Sequence, residues 1–466
     1  MVAERLLRFI SPGLVALVLL AGCGSVSTRK DFYDPITAEL RAQNYDAAVN
    51  GLQQAKEGGK YGKKDRLVYY LDAGLAHHYA AQFDSSNTRL HEAEEAAENL
   101  FTKSISRAVT SVLLNDNALE YSGEDYEVLY SNLIKALNYI AMDKFDDAFV
   151  ETRRANLKLE QLEQKYADVE EMFRQQSTND TSGVVIDYDI KPVRFYNSAF
   201  ARYLSMHIYA ADGKWDDARI DHDYLKQAFS LQPFIYGFDM PDVQYHSDEG
   251  AILSVVALAG LSPVKEALNL RIRTDKDLDL VQILYTDGEN EDQEYNHLPM
   301  AISEDYYFKF AIPKLADRVS VISHANVYVS GELLGQLQLL EDVGSVARET
   351  FEARSSLIYL RTVARAVAKG LVAHKAKKKA DTGGLGGWLK KAAIDVVTDV
   401  SENADLRCAR LLPGRILVGD FVLPAGEYDL TVEFIDHAGG LVSSQLIPGY
   451  RVVDGGLNMI EAVCLN

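Results

Sequence analysis

The chain has 466 residues, 47% hydrophobic and 25% charged, with a formal net charge of −20 and a pI near 5.0. That balance excludes wholesale disorder, and the length suits two or three domains with cores of their own. So negative a chain repels phosphate backbones, which excludes nucleic acid as a partner wherever no local basic patch intervenes.

Arg5 and Arg8 form a basic start, and the apolar run from Phe9 to Leu20 is broken only by Ser11, Pro12 and Gly13. It is too short to span a bilayer and reads as a signal peptide. The run ends in Leu20-Ala21-Gly22-Cys23, which resembles the lipobox of bacterial lipoproteins, whose Cys is acylated and becomes the mature N-terminus. The resemblance implies lipidation of Cys23, a signal peptide over 1–22 and a tether over 23–32. Two or three acyl chains anchor far more stably than one. Gly24 and Ser25 follow, without the Asp that marks inner-membrane retention, so the implied destination is the outer membrane, with the body facing the periplasm. No later run reaches transmembrane length; Ala251 to Leu261 is strand-sized. Cys408 and Cys464 then form an even pair in an oxidising compartment. A disulfide between them and two separate buried thiols both stay open, because spacing does not give geometry.

The helical half is expected over 33–245. Four phrases read aromatic-Asp-x-small: Tyr45-Asp46-Ala47-Ala48, Phe83-Asp84-Ser85-Ser86, Phe145-Asp146-Asp147-Ala148 and Trp215-Asp216-Asp217-Ala218. Runs with apolar residues at helical spacing precede three of them, and each is followed by another helical run. The pattern predicts helical hairpins: the aromatic wedged where the helices diverge, Asp accepting free N–H groups of the second helix, and Ala permitting close approach. The stretch from Tyr121 to Lys158, with its turn at Met142-Asp143-Lys144, is the clearest. The arrangement resembles the tetratricopeptide repeat, although the spacing is irregular. An extra helix over Leu90 to Val112 and a linker over Ser177 to Gly183 are expected in the longer gaps. Such arrays bind peptides or protein surfaces; the alternative is that the helices pack only on the rest of the chain.

From about Gly250 the period changes to that of strands: Ile252–Leu258, Leu268–Ile272, Leu278–Ile283, Tyr307–Ile312, Val319–Ile322 and Asn326–Val329, with an acidic loop over Asp287–Asn296. A helix over Val343–Lys379, a Gly-rich break at Thr382–Gly387 and a helix over Trp388–Val400 come next. Strands over Arg415–Val422, Tyr428–Ile435, Leu441–Ile447 and Met459–Cys464 close the chain. The expected fold class is therefore a multidomain α+β protein. Its helical array precedes an antiparallel β-sandwich (246–341 and 403–466) interrupted by a helical hairpin (342–402). The tip of that hairpin carries Lys375, Lys377, Lys378 and Lys379 beside Trp388, which suits contact with an anionic membrane or an acidic partner as well as it suits a solvated helix end.

Phrases spread over most of the mature chain resemble a poorly characterised family of bacterial outer-membrane lipoproteins with tetratricopeptide-like helices. They are Tyr121-Ser122-Gly123-Glu124, Ala136-Leu137-Asn138-Tyr139, Val150-Glu151-Thr152-Arg153-Arg154, Gly260-Leu261-Ser262-Pro263-Val264-Lys265, the ladder Arg361, Arg365 and Lys369, Ala404-Asp405-Leu406-Arg407, and Leu412-Pro413. The resemblance implies partners among envelope proteins, including other lipoproteins and activators of cell-wall synthases, and brings no activity with it. Ser262-Pro263-Val264-Lys265 matches S-x-x-K, but Pro263 sits where a helical turn is needed and no Lys-Thr-Gly companion exists. Asp221-His222-Asp223 and His77-His78 are too few for a metal site, and no cofactor is expected. The expected function is a lipid-anchored periplasmic scaffold that binds protein partners through its array. Two alternatives stay open: an enzyme or carrier acting on peptidoglycan or lipid, and a structural subunit of an outer-membrane ring or secretion assembly.

Overall fold

The computed structural model describes residues 31–110, 119–179, 194–275, 277, 280–285, 293–299, 307–352, 354–355, 358 and 404–466. Cys23, the ladder of Arg361, Arg365 and Lys369, the basic tip with Lys375, Lys377, Lys378 and Lys379, and Trp388 lie outside these residues.

The first half is built from paired helices: α1 (Tyr33–Arg41) with α2 (Tyr45–Glu57), α3 (Arg66–Tyr79) with α4 (Phe83–Thr110), α5 (Asp125–Ala141) with α6 (Phe145–Asn179), and α7 (Ala199–Ala211) with α8 (Trp215–Leu231). The four turns are alike. Gln43, Ala81, Asp143 and Gly213 take φ of 61°, 55°, 58° and 70°, each two residues before the aromatic of the repeated phrase. In each, the next residue's N–H reaches back to close the first helix: Asn44 to Glu39 O, Gln82 to His77 O, Lys144 to Tyr139 O and Lys214 to Tyr209 O. This is the six-to-one closure of a left-handed C-cap. The small residue of each phrase, Ala48, Ser86, Ala148 or Ala218, is fully buried, as close helix approach requires.

Three expectations change here. The Asp residues sit inside the first turn of the second helix and do not cap it: Asn44 and Lys214 are the N-caps, without side-chain cap bonds, and Asp46 Oδ1 instead accepts from Gln82 Nε2 at 2.8 Å. The acids therefore act through the helix dipole. Trp215 is no wedge: it is 48% exposed and stands edge-on to His246, centroids 4.9 Å apart. The long gaps hold longer second helices, and Leu90 lies inside one of them, not in an added helix; of the linker expected over Ser177 to Gly183, only Ser177 to Asn179, the end of α6, lie among the described residues. Helix α4 has 28 residues and α6 has 35.

The strands are β1 (Ala251–Leu261), β2 (Val264–Asp275), β3 (Leu280–Tyr285), β4 (Gln293–Pro299), β5 (Tyr307–Ala316), β6 (Ile322–Val329), β7 (Glu332–Asp342), β8 (Pro413–Leu423), β9 (Gly426–Asp436), β10 (Leu441–Val452) and β11 (Asn458–Cys464). They do not form the expected antiparallel sandwich. Seven make one mixed sheet in the order β10-β9-β6-β7-β8-β1-β11, with β1 and β11 parallel, and β4-β3-β2-β5 make a second, four-stranded sheet. The large sheet curls until its edges nearly meet: Gln445 Oε1 on β10 accepts from Val463 N on β11 at 2.8 Å. Strand β4 lies partly in the stretch read as an acidic loop. Strand β7 is broken to the eye by Gly335, where a side chain would strike the Phe421 ring at 2.5 Å.

Strand β1 explains the layering. Leu253, Val255 and Ala257 point into the curled sheet with Val327, Leu430 and Phe434, whereas Val256 and Leu258 point out into the core that the helices share. Each such buried Val, Leu or Phe side chain contributes about 2 kcal/mol. The first helices of the hairpins therefore form an inner layer between the sheet and the second helices, and α5, buried almost all round, is its centre. Strands β7 and β8 are paired neighbours, so the residues between them leave and rejoin one sheet. A helix, α9, starts there at residue 343, with Asp342 Oδ1 accepting from Ser345 N at 3.0 Å.

Candidate functional site

A groove opens where α3 shows between α2 and α4. Its volume is about 420 Å³, and its floor is Leu52, Tyr69 and Ala73. Tyr69, Ala73 and His77 sit four residues apart, one face of a helix. Asn50 and Gln53 form one wall, and Ser85, Thr88 and Arg89 the other. Tyr69 is held in place: its OH donates to Gln53 at 3.2 Å, and Lys56 lies 4.7 Å from its ring centroid. Amides and hydroxyls over an aromatic floor offer donors and acceptors to a peptide backbone and a surface to its side chains.

The face that the inner helices turn to the sheet is differently employed. Tyr79 OH donates to Leu411 O at 2.7 Å, Tyr130 OH to Glu341 at 2.6 Å, and Tyr203 OH to Asp420 at 2.7 Å. Asp72 accepts from Tyr33 OH, Tyr61 OH and Arg410 N at 2.7, 2.9 and 3.2 Å; burial lifts its pKa to about 6. Glu127 accepts from Tyr121 OH at 2.8 Å and Ala409 N at 2.6 Å, and burial lifts its pKa to about 7. Several phrases that carry the family resemblance lie on this seam: Glu124 pairs with Lys265, and Asp405 with Arg407 at 2.7 Å. Lys265 is thereby committed to Glu124, and Ser262 stands apart at the β1–β2 corner, so S-x-x-K is not assembled as a nucleophile and base.

One cluster on the seam has the composition of a reactive site. His207 Nε2 lies 3.2 Å from Asp420 Oδ1, and Ser254 Oγ lies 3.2 and 3.3 Å from the two ring nitrogens. The order is that of a hydrolase triad. A cavity of about 100 Å³, lined also by Trp215, His246 and Asn458, reaches Ser254 and His207. The geometry serves packing better. Ser254 is 1% exposed in the middle of β1, paired on both sides, and its Oγ faces the ring edge between the nitrogens. Asp420 is already bound by Tyr203 and by Gln244 N at 2.9 Å. Sequence reading missed this trio because its members are scattered over a helix and two strands; the register pairing Ser254 with Asp420 is not legible in one dimension.

Cys408 and Cys464 are both buried and free; of the two alternatives, the separate thiols stand and the disulfide does not. Cys464 points into the curled sheet, while Cys408 sits beside Arg410 and Glu127. Asp221 is bound by Arg202 at 3.0 Å and Ser205 at 2.6 Å, and His78 by Asn138 at 2.7 Å. No group of three or more His, Cys, Asp or Glu is placed to hold a metal among the described residues, and no described helix is long and apolar enough to cross a membrane. Comparison with protein-family models, curated proteins and solved structures finds no match for this chain.

Proposed function

We propose that the chain is a lipid-anchored scaffold of the bacterial cell envelope, tethered to the outer membrane through Cys23 and facing the periplasm. It binds protein partners (envelope proteins such as other lipoproteins or cell-wall synthase activators) along the outer helices of a degenerate tetratricopeptide-like array. The repeat reading is supported by the four matching turns and the buried small residue after each. The observation that carries the binding role is the groove between α2 and α4. Because the seam commits the inner helices to the chain's own sheet, a partner reads the outer layer. Asn50 and Thr88 are exposed on opposite walls, so Asn50→Trp and Thr88→Trp fill the groove and leave the core alone. Quantitative mass spectrometry after crosslinking in intact cells should recover a partner with the wild type and about tenfold less of it with either variant, the loss of roughly 1.4 kcal/mol. Equal recovery with all three proteins removes the groove, and recovery of no partner removes the scaffold. Cys23→Ser should move the protein from membranes to the soluble periplasm.

A second reading, an enzyme acting on esters of peptidoglycan or lipid, has the Ser254, His207 and Asp420 cluster behind it. Labelling by a fluorophosphonate that disappears in Ser254→Ala would favour it over the scaffold; an unlabelled wild type ends it.

A further inference from the structure

The matching turns put the helical hairpins in one register, so equivalent positions along the array can be compared. Eight residues before the left-handed residue of the turn stand Ala73 on α3, Lys135 on α5 and Ser205 on α7, counted from Ala81, Asp143 and Gly213. Six residues after the aromatic stand Arg89 on α4, Glu151 on α6 and Asp221 on α8. In two hairpins these positions meet: Lys135 Nζ lies 2.8 Å from Glu151, and Ser205 Oγ donates to Asp221 at 2.6 Å. A second acid reaches Lys135 from the preceding hairpin, Glu94 at 2.7 Å, eleven residues after Phe83. Eleven residues after Tyr45, the equivalent position on α2 is Lys56. The α2–α3 and α4–α5 junctions pack alike: the residue after the turn reaches the acid after the preceding aromatic, Gln82 to Asp46 at 2.8 Å and Lys144 to Asp84 at 3.8 Å.

The groove over α3 is therefore the α5 arrangement with its centre removed and its charge reversed. Where Lys135 fills the space above α5, Ala73 leaves about 420 Å³ open. Where Glu94 and Glu151 flank that lysine, Lys56 and Arg89 flank the gap, 4.7 and 5.9 Å from the Tyr69 ring centroid. Among the described residues no carboxylate lines the groove, although the chain carries a net charge of −20. The acids beside it are engaged elsewhere or weakly held. Glu57 accepts from Gln53 at 2.7 Å. Arg89 meets Glu92 of its own helix at 2.8 Å, but both side chains are 36% exposed, and a surface pair of that kind is weak and readily exchanged.

We propose that the groove binds a protein segment through an acidic side chain, seated over Ala73 between Lys56 and Arg89. That carboxylate takes the place that Lys135 holds in the next groove, with the signs exchanged. The proposal rests on the groove being the surface that a partner reads, and one arm of its test needs no partner. Ala73→Glu supplies the carboxylate from within, and Ala73→Gln supplies the same shape without charge. The thermal midpoint of the mature chain should be higher with Glu than with Gln, and replacing Lys56 and Arg89 together by Gln should erase the difference. A Glu variant that melts no higher than the Gln variant overturns the proposal. The second arm repeats the crosslinking in intact cells, and it decides alone if the Ala73 variants do not fold. Lys56→Gln and Arg89→Gln should each recover about tenfold less partner than the wild type, the loss of one charge-assisted hydrogen bond. Lys56→Arg and Arg89→Lys, which keep the charge, should recover nearly as much as the wild type. Undiminished recovery with both Gln variants, beside a loss with Asn50→Trp, overturns the acidic side chain and leaves the groove standing. Undiminished recovery with Asn50→Trp as well removes the groove, and this proposal with it.

Discussion

Glu94 on α4 faces two lysines: Lys135 Nζ on α5 at 2.7 Å, and Lys158 on α6. Lys135 also reaches Glu151 at 2.8 Å, and both ends of that pair are buried. Burial alone would raise the Glu94 pKa, but Lys158 and then Lys135 outweigh it and hold the group at about 2 against an ordinary 4.5. A carboxylate whose folded pKa is depressed stabilises the fold above its unfolded pKa and loses that contribution as pH falls. Here the window runs from about pH 4.5 down to about pH 2, and 2.5 units correspond to roughly 3 kcal/mol. In Glu94→Gln the stability deficit relative to the wild type should be full at neutral pH and shrink steadily through that window. Urea unfolding at a series of pH values measures it, and a deficit that does not vary with pH assigns the loss to packing alone. Nothing in the sequence announces this pairing. Glu94, Lys135 and Lys158 read as the solvated faces of three helices, and only the packing of α4, α5 and α6 against one another buries them.

The helical hairpins were legible because their determinants are local. The period of 3.6, the aromatic-Asp-x-small phrase and the turn residues all fall within a short window, and the buried Ala48, Ala148 and Ala218 match the expected close approach. The sheet was not, because strand order depends on partners far apart in the chain: β11 lies parallel to β1 some two hundred residues away, from Leu253 paired with Asn458 to Ala259 paired with Cys464. The matching turns allow a test at the level of the element. Ala81, with φ of 55°, is exposed and carries a Cβ in the left-handed region, whereas Gly213 takes φ of 70° with nothing within 4 Å of where a Cβ would be. A Cβ there costs about 1 kcal/mol. Ala81→Gly should therefore stabilise the protein by about that amount and Gly213→Ala should destabilise it by about the same, both read as shifts in the denaturant midpoint at constant slope. Shifts of the same sign in both variants would show that the two turns are not equivalent.

At the scale of the molecule, what matters is that helices and sheet are not separable bodies. One continuous core runs from Tyr33 and Leu40 through Leu133 and Leu204 to Val256, Leu411, Val418 and Val463, and the seam adds buried polar groups whose partners lie across it. Cut at residue 245, the helical half would expose the sheet-facing side of α3, α5 and α7. Tyr79, Tyr130 and Tyr203 would lose their acceptors Leu411 O, Glu341 and Asp420, and Asp72 and Glu127 would lose the N–H groups of Arg410 and Ala409. Inner helices that are apolar nearly all round need cover on both sides. Residues 33–245 made alone should therefore keep much of their far-ultraviolet helical signal, lose fixed near-ultraviolet signals and bind a hydrophobic dye, while the whole mature chain unfolds in a single transition seen alike by both probes. A cooperative melt of the isolated fragment, with its near-ultraviolet spectrum intact, would make the array an independent domain. Its inner face would then be free to take a partner in place of the sheet, and the outer groove at Tyr69 would lose its claim to be the surface that a partner reads.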